Sequence, residues 1–176
     1  MASSEDLPQT AAPAPGAFQE VFRRRFAEGA DAIVCINLSS GVSATMESSE
    51  LAAREVDGDV RVVDSRSVTA GLGVMVQAAA QAAARGASTD EVVTLVEGMR
   101  DRTRVFGAID TLENLKKGGR IGNAQALLGS MLSIKPLIDI SSGVVEEAGR
   151  QRTRNCLLYT SPSPRDQRGS RMPSSA

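Results

Sequence analysis

The run from Ala32 to Leu38, AIVCINL, constrains the fold more than any other stretch of the chain. It is apolar apart from one asparagine, so neither face of a strand built from it can be turned to water cheaply. Such a strand belongs in a parallel sheet with helices on both sides. The flanking segments supply them. Upstream, Phe18, Val21, Phe22 and Phe26 fall at helical spacing, Glu20, Arg23, Arg24 and Arg25 lie outside, and Gly29 closes the helix. Downstream, SSGVSATMESSELAARE reads as a loop of small hydroxyl residues entering a helix with Met46, Leu51, Ala52 and Val56 on its apolar side.

The alternation continues. Val60 to Val63 is a second short buried strand ending in Asp64-Ser65, and a helix of small residues follows from about Thr69 to Ala84. Gly71-x-Gly73 lacks the third glycine of a dinucleotide fingerprint. Gly86 breaks the helix, and Ser88-Thr-Asp-Glu91 forms a capping box for the next, whose buried face is Val92, Leu95, Val96 and Met99. Val105 to Ile109 is a third strand-like run. Strand and helix alternating through residues 18 to 110 predict an α/β layer with right-handed crossovers.

A different rhythm begins at Leu112, in LENLKKGGRIGNAQALLGSMLSIKP. A short helix ends in Lys116 and Lys117, which complement the negative end of its dipole, and the glycine directly after the pair can take the left-handed conformation that stops it. Ala124, Leu127, Leu128, Met131 and Leu132 predict a second helix, and Ser133 to Ile140 a strand. Ser141-Ser-Gly143 is a turn and Val144-Val145 starts the return strand of a hairpin. This second unit is expected to be a mixed sheet with helices.

Serine-rich residues 39–45 follow a buried strand and precede a helix. Such a turn aims backbone N–H groups and hydroxyls at the carboxyl edge of the sheet, where open parallel sheets take their ligands. The same residues also suit an ordinary helix start rich in serine. Composition removes several chemistries. The chain has no histidine, which excludes Ser-His-Asp triads, histidine acid–base work and ordinary zinc sites. Net charge is -1 and aromatics are 3%, so neither a basic field nor a stacking platform points to nucleic acid. Cys35 and Cys156 show no metal-ligand spacing, and Cys35 reads as a small core residue of a reducing cytoplasm. No apolar run approaches the about 18 residues of a membrane span, and the N-terminus has no signal-peptide pattern. The expected location is the cytoplasm.

Several motifs, in order, resemble the DegV family of bacterial fatty-acid-binding proteins. Thr10-x-x-Pro13-x-Pro15 resembles T-S-Q-P-S-P, with alanines at positions 11, 12 and 14. Ser39-Ser40-Gly41-Val42-Ser43-Ala44-Thr45 resembles S-S-x-L-S-G-T, with Ala44 replacing glycine. Val63-Asp64-Ser65 resembles a strand end I-D-S, while Gly118-Gly119-Arg120-Ile121 and Ile134-Lys135-Pro136 match unchanged. Arg150-x-Arg152-Thr153-Arg154 resembles the basic strand near the middle of family members.

The resemblance implies a two-domain α/β protein holding a long-chain fatty acid between its domains. It implies Thr10 and Ser43 as hydroxyl donors to the carboxylate, with Arg120 serving the ligand's charged end or partner docking. It further implies no cofactor and a binding role without catalysis, in which the carboxylate is presented to an ATP-dependent fatty acid kinase. An ionised carboxylate only accepts hydrogen bonds, so a dry site must supply donors. The expected organisation is a partial parallel-sheet, Rossmann-like domain over residues 1–102 and the start of a second mixed α/β domain over 103–154. Residues 155–176, crowded with Ser, Pro and Arg, are expected to be a disordered tail not native to the gene. The family's opening strand and its histidine-bearing C-terminal half have no counterpart, so the chain reads as an internal fragment. Two other readings are a substrate-binding subunit of a dihydroxyacetone-kinase-like enzyme, which needs a histidine, and a truncated gene fragment without function.

Overall fold

A computed structural model describes residues 10–129 and 135–151. Helix α1 (Pro15–Ala27) leads into strand β1 (Ala32–Asn37), helix α2 (Thr45–Arg54) and strand β2 (Asp59–Asp64). Helices α3 (Thr69–Ala84) and α4 (Thr89–Arg100) follow. Strand β3 (Phe106–Ala108), helix α5 (Glu113–Lys117), a 3-10 helix (Gly122–Gly129) and strands β4 (Lys135–Asp139) and β5 (Glu146–Gln151) complete the described chain.

Strands β1 and β2 pair in parallel, Ala32 opposite Asp59 through Asn37 opposite Asp64. Strand alternation sends β1's apolar residues to two cores. Ile33 and Cys35 pack with Phe22, Ala52 and Val56 beneath α1 and α2. Val34 and Ile36 face the other way, against Met75, Ala79, Ala82, Val92 and Val96 of α3 and α4. Helices thus lie on both faces of the sheet, although Ala32 to Ile36 are only half-buried and Arg61 of β2, expected in a buried strand, is exposed. Gly58 carries φ +135 and lies under the Phe26 ring, where a Cβ would come within 2.4 Å of Cζ. The capping box at α4 forms as expected, with Glu91 N–H donating to Ser88 Oγ and Ser88 N–H donating to Glu91 Oε2.

The remaining strands build a separate antiparallel sheet, ordered β3-β4-β5. Its core is Leu112, Ala124, Ile138 and Val145, joined by Ile109, Leu115, Ile121 and Ile140. Val42, from the loop after β1, packs on the same core.

Several local expectations change. Leu51, expected on the apolar side of α2, is 45% exposed. Val21 is 41% exposed, because Phe18, Phe22 and Phe26 already fill the inner face of α1. At the end of α5, Gly118 stays right-handed at φ -79, and Gly119 takes the left-handed turn at φ +71. The run expected as a helix from Ala124 is a 3-10 helix over Gly122–Gly129, while Met131 and Leu132 lie outside the described residues. Its start is drawn onto the second sheet: Asn123 N–H donates to the Val145 carbonyl at 2.9 Å, and Gly122 at φ +53 leaves no space for a Cβ against that carbonyl. Finally, the third strand-like run does not extend the parallel layer. Strand β3 pairs with β4, Phe106 opposite Asp139, and the second sheet is antiparallel among the described residues. The tail expected over 155–176 lies outside the described residues.

Candidate functional site

Because β1 and β2 are parallel and in register, Asn37 and Asp64 end side by side. The two loops that leave them meet at this carboxyl edge. The Ser65 N–H donates to the Asn37 carbonyl at 3.1 Å, and Ser39 N–H donates to the Ser67 carbonyl at 2.9 Å. Asp64 is the anchor of the pair. Its carboxylate accepts from Ser40 Oγ at 2.6 Å, Ser40 N–H at 3.3 Å and Arg66 N–H at 2.8 Å. Three donors disperse its charge. Below it, buried Asn37 donates its amide to Ser49 Oγ at 2.8 Å, which in turn donates to the Met46 carbonyl, fixing the start of α2. Burial pushes the neighbouring Cys35 thiol up, opposed by weaker contacts with Asn37 and Ser49.

Ser43 stands at the entry to α2. Its Oγ lies 2.8 Å from Thr45 Oγ1 and accepts a 3.3 Å bond from Thr45 N–H. It lines a hollow of about 350 Å³ with Ser40, Met46, Glu47, Glu50 and Asp64. Hydroxyls and the first turn of a helix are donors suited to an anion, whereas the carboxylates on the rim oppose one. A cation reaches the backbone of the same loop, although it does not line the hollow. Arg120, held by the Gly118-Gly119 turn, donates through Nε to the Val42 carbonyl at 3.3 Å and through a terminal nitrogen to the Gly118 carbonyl at 2.5 Å.

Of the three residues expected at the site, Ser43 and Arg120 are therefore brought to one loop from positions far apart in sequence. Thr10 is exposed, does not line the hollow, and takes part in no hydrogen bond among the described residues. Sequence reasoning missed the ties that shape the loop, above all Ser39 and the Ser40–Asp64 pair. The signal for the second was present, since parallel pairing brings the two strand ends together. A larger groove of about 530 Å³ lies between β1 and α3–α4, lined by residues such as Val34, Ile36, Val76, Ala80 and Ala83. It shares no lining residue with the hollow at Ser43. No helix among the described residues is long and apolar enough to cross a membrane.

The family profile described as "Uncharacterised protein, DegV family" matches residues 1–159. The chain belongs to the DegV family. It is 42% identical over 144 residues to a DegV domain-containing protein of Streptomyces coelicolor, covering 82% of this chain and 51% of that protein. A DegV domain-containing protein of Deinococcus radiodurans is 38% identical over 152 residues, covering 86% of this chain and 54% of the relative. Among solved structures, a fatty-acid-binding DegV family protein from Thermus thermophilus superposes with a TM-score of 0.80 at 40% identity, covering 86% of this chain and 54% of that one. A DegV family protein from Eubacterium eligens loaded with heptadecanoic acid gives a TM-score of 0.73 at 25% identity, covering 90% of this chain and 58% of that one. The chain thus spans about half the length of the relatives it matches.

Proposed function

We propose that this chain carries the carboxylate-binding part of a long-chain fatty acid carrier. The observation that carries the reading is the arrangement at Ser43: a hydroxyl at a helix entry, lining a hollow, on a loop that Arg120 grips from the turn after α5. The fatty acid bound by the Thermus thermophilus protein supports the ligand class. In this reading Ser43 donates to a carboxylate oxygen and Arg120 supplies the compensating positive charge. Thr10 is the second hydroxyl donor in this reading. The role is binding and presentation without catalysis: the carboxylate is offered to an ATP-dependent kinase that phosphorylates it. The division into two units falls between residues 102 and 103, ahead of β3, and the protein works in the cytoplasm.

Native mass spectrometry of the chain with palmitate tests the binding. One bound fatty acid per compact molecule is the expected result, and a ligand-free spectrum at saturating palmitate overturns the reading. The kinase step has its own assay. Hydroxylamine converts an acyl phosphate to a hydroxamate, so hydroxamate is expected only when ATP, a fatty acid kinase and the loaded protein are all present. Equal yield without this chain sinks the presenting role.

A further inference from the structure

Ser39 is the most constrained residue of the serine loop, at 1% exposure, yet it does not line the hollow. It joins three segments. Its hydroxyl donates to the Gly143 carbonyl at 2.5 Å, in the turn between β4 and β5, and accepts from Gly41 N–H at 3.2 Å. Its own N–H is taken by Ser67 after β2, and its carbonyl receives Val42 N–H at 3.2 Å. The two backbones meet without side chains between them. A Cβ on Gly41 would lie 2.6 Å from the Gly143 carbonyl oxygen and 2.7 Å from Val144 Cγ1, and one on Gly143 would lie 2.9 Å from Ser39 Oγ. Gly143 also needs its φ of +93. One hydroxyl therefore ties the course of residues 39–42 to the hairpin of the other sheet, and Ser43 is the next residue along.

We propose that Ser39 is a positioning residue: bonded to Gly143, it sets where Ser43 presents its hydroxyl, so that the antiparallel sheet shapes a ligand site lined by the parallel one. This rests on the fatty-acid reading above. A buried donor lost at Ser39 leaves the Gly143 carbonyl and the Gly41 N–H without their shared partner and frees the loop to move. Ser43 then meets the carboxylate in a spread of geometries.

The test is a double-mutant cycle in the full chain, with palmitate affinity measured by calorimetry for wild type, Ser39→Ala, Ser43→Ala and the double variant. The expected result is a loss of about tenfold for Ser39→Ala in the wild-type background and under about twofold when Ser43 is already alanine. Melting temperature, which a merely structural role would also lower, should fall equally in both backgrounds. The carboxyl carbon resonance of labelled palmitate should shift in Ser39→Ala only while Ser43 is present. Unchanged affinity in Ser39→Ala, or equal losses in both backgrounds, overturns the inference. Wild type that binds no palmitate overturns the carrier reading itself, and the inference with it. Val144→Ala, which loosens the same contact at Gly41 without removing a buried hydrogen bond, should give a smaller loss coupled to Ser43 in the same way. If Ser39→Ala does not fold, that variant decides the matter on the same criteria.

Discussion

The guanidinium of Arg120 donates through Nε to the carbonyl of Val42, 78 positions away in the chain, at 3.3 Å. This bond carries the glycine turn after α5 onto the loop that holds Ser43. It also makes Arg120 a test of whether charge or geometry matters at the site. Arg120→Met should weaken palmitate binding, and Arg120→Lys should recover only part of the loss, because a single ammonium cannot reproduce a planar fork reaching both Val42 and Gly118. Full recovery by lysine would show that charge alone suffices. Calorimetric titration measures both variants.

Ser43→Ala should cost roughly 1–3 kcal/mol of fatty-acid affinity, the effect of leaving a buried charged acceptor one donor short. Fold stability should change little, since Ser43 is only half-buried and bonds within its own turn. Unchanged affinity removes Ser43 from the carboxylate site.

Met75→Ala should destabilise the chain by about 2–5 kcal/mol, the range for emptying a buried aliphatic site. Met75 is fully buried among Val63, Ala79, Val92 and Val96. Urea unfolding reads the loss, and a change under about 1 kcal/mol would mean that this core does not limit stability.

Gly58→Ala should be at least as harmful as a typical core truncation, about 2 kcal/mol or more, because strained backbone and a ring clash act together. Its φ is +135 and its Cβ would strike the Phe26 ring. Phe26→Leu in the same molecule should recover part of the loss by removing the clash. Failure to recover any would assign the whole effect to the backbone.

The carboxyl of Glu91 is held below its usual range by hydrogen bonds from the Ser88 backbone and side chain. A depressed folded-state value means that the unfolded chain takes up the proton first. The contribution is present above the usual glutamate range and is lost as pH falls through the lower folded value. Glu91→Gln should therefore flatten the acid limb of the stability profile and leave the limb above neutrality unchanged. Thermal melts across pH 3 to 8 check the sign.

The parallel layer was legible in the sequence because its signals are local. AIVCINL is apolar on both sides, the capping box at Ser88 is a four-residue pattern, and α3 announces itself by small residues. The serine loop was legible as a turn at a carboxyl edge, and the DegV motifs gave Ser43 and Arg120 their roles as expectations. What could not be read was tertiary. Ala124 suits a helix by spacing, yet Asn123 bonds Val145 and the segment tightens into a 3-10 helix. Val105 to Ile109 is strand-like whichever sheet it joins, and only packing against Ile138 decides that. Ser39 looked like one hydroxyl among several, since nothing nearby in sequence names Gly143 as its partner.

The Ser39–Gly143 bond spans 104 positions. Closing so long a segment is entropically costly and draws on contacts made elsewhere, so the loop's final shape depends on order already established in both sheets. During synthesis, β1, β2 and their helices are complete long before the acceptor exists. A nascent chain shorter than 143 residues can own every residue lining the hollow and still lack the tie that shapes it. If the loop binds its ligand as proposed, competence is in that sense a late property of the polypeptide, acquired when the β4–β5 turn arrives.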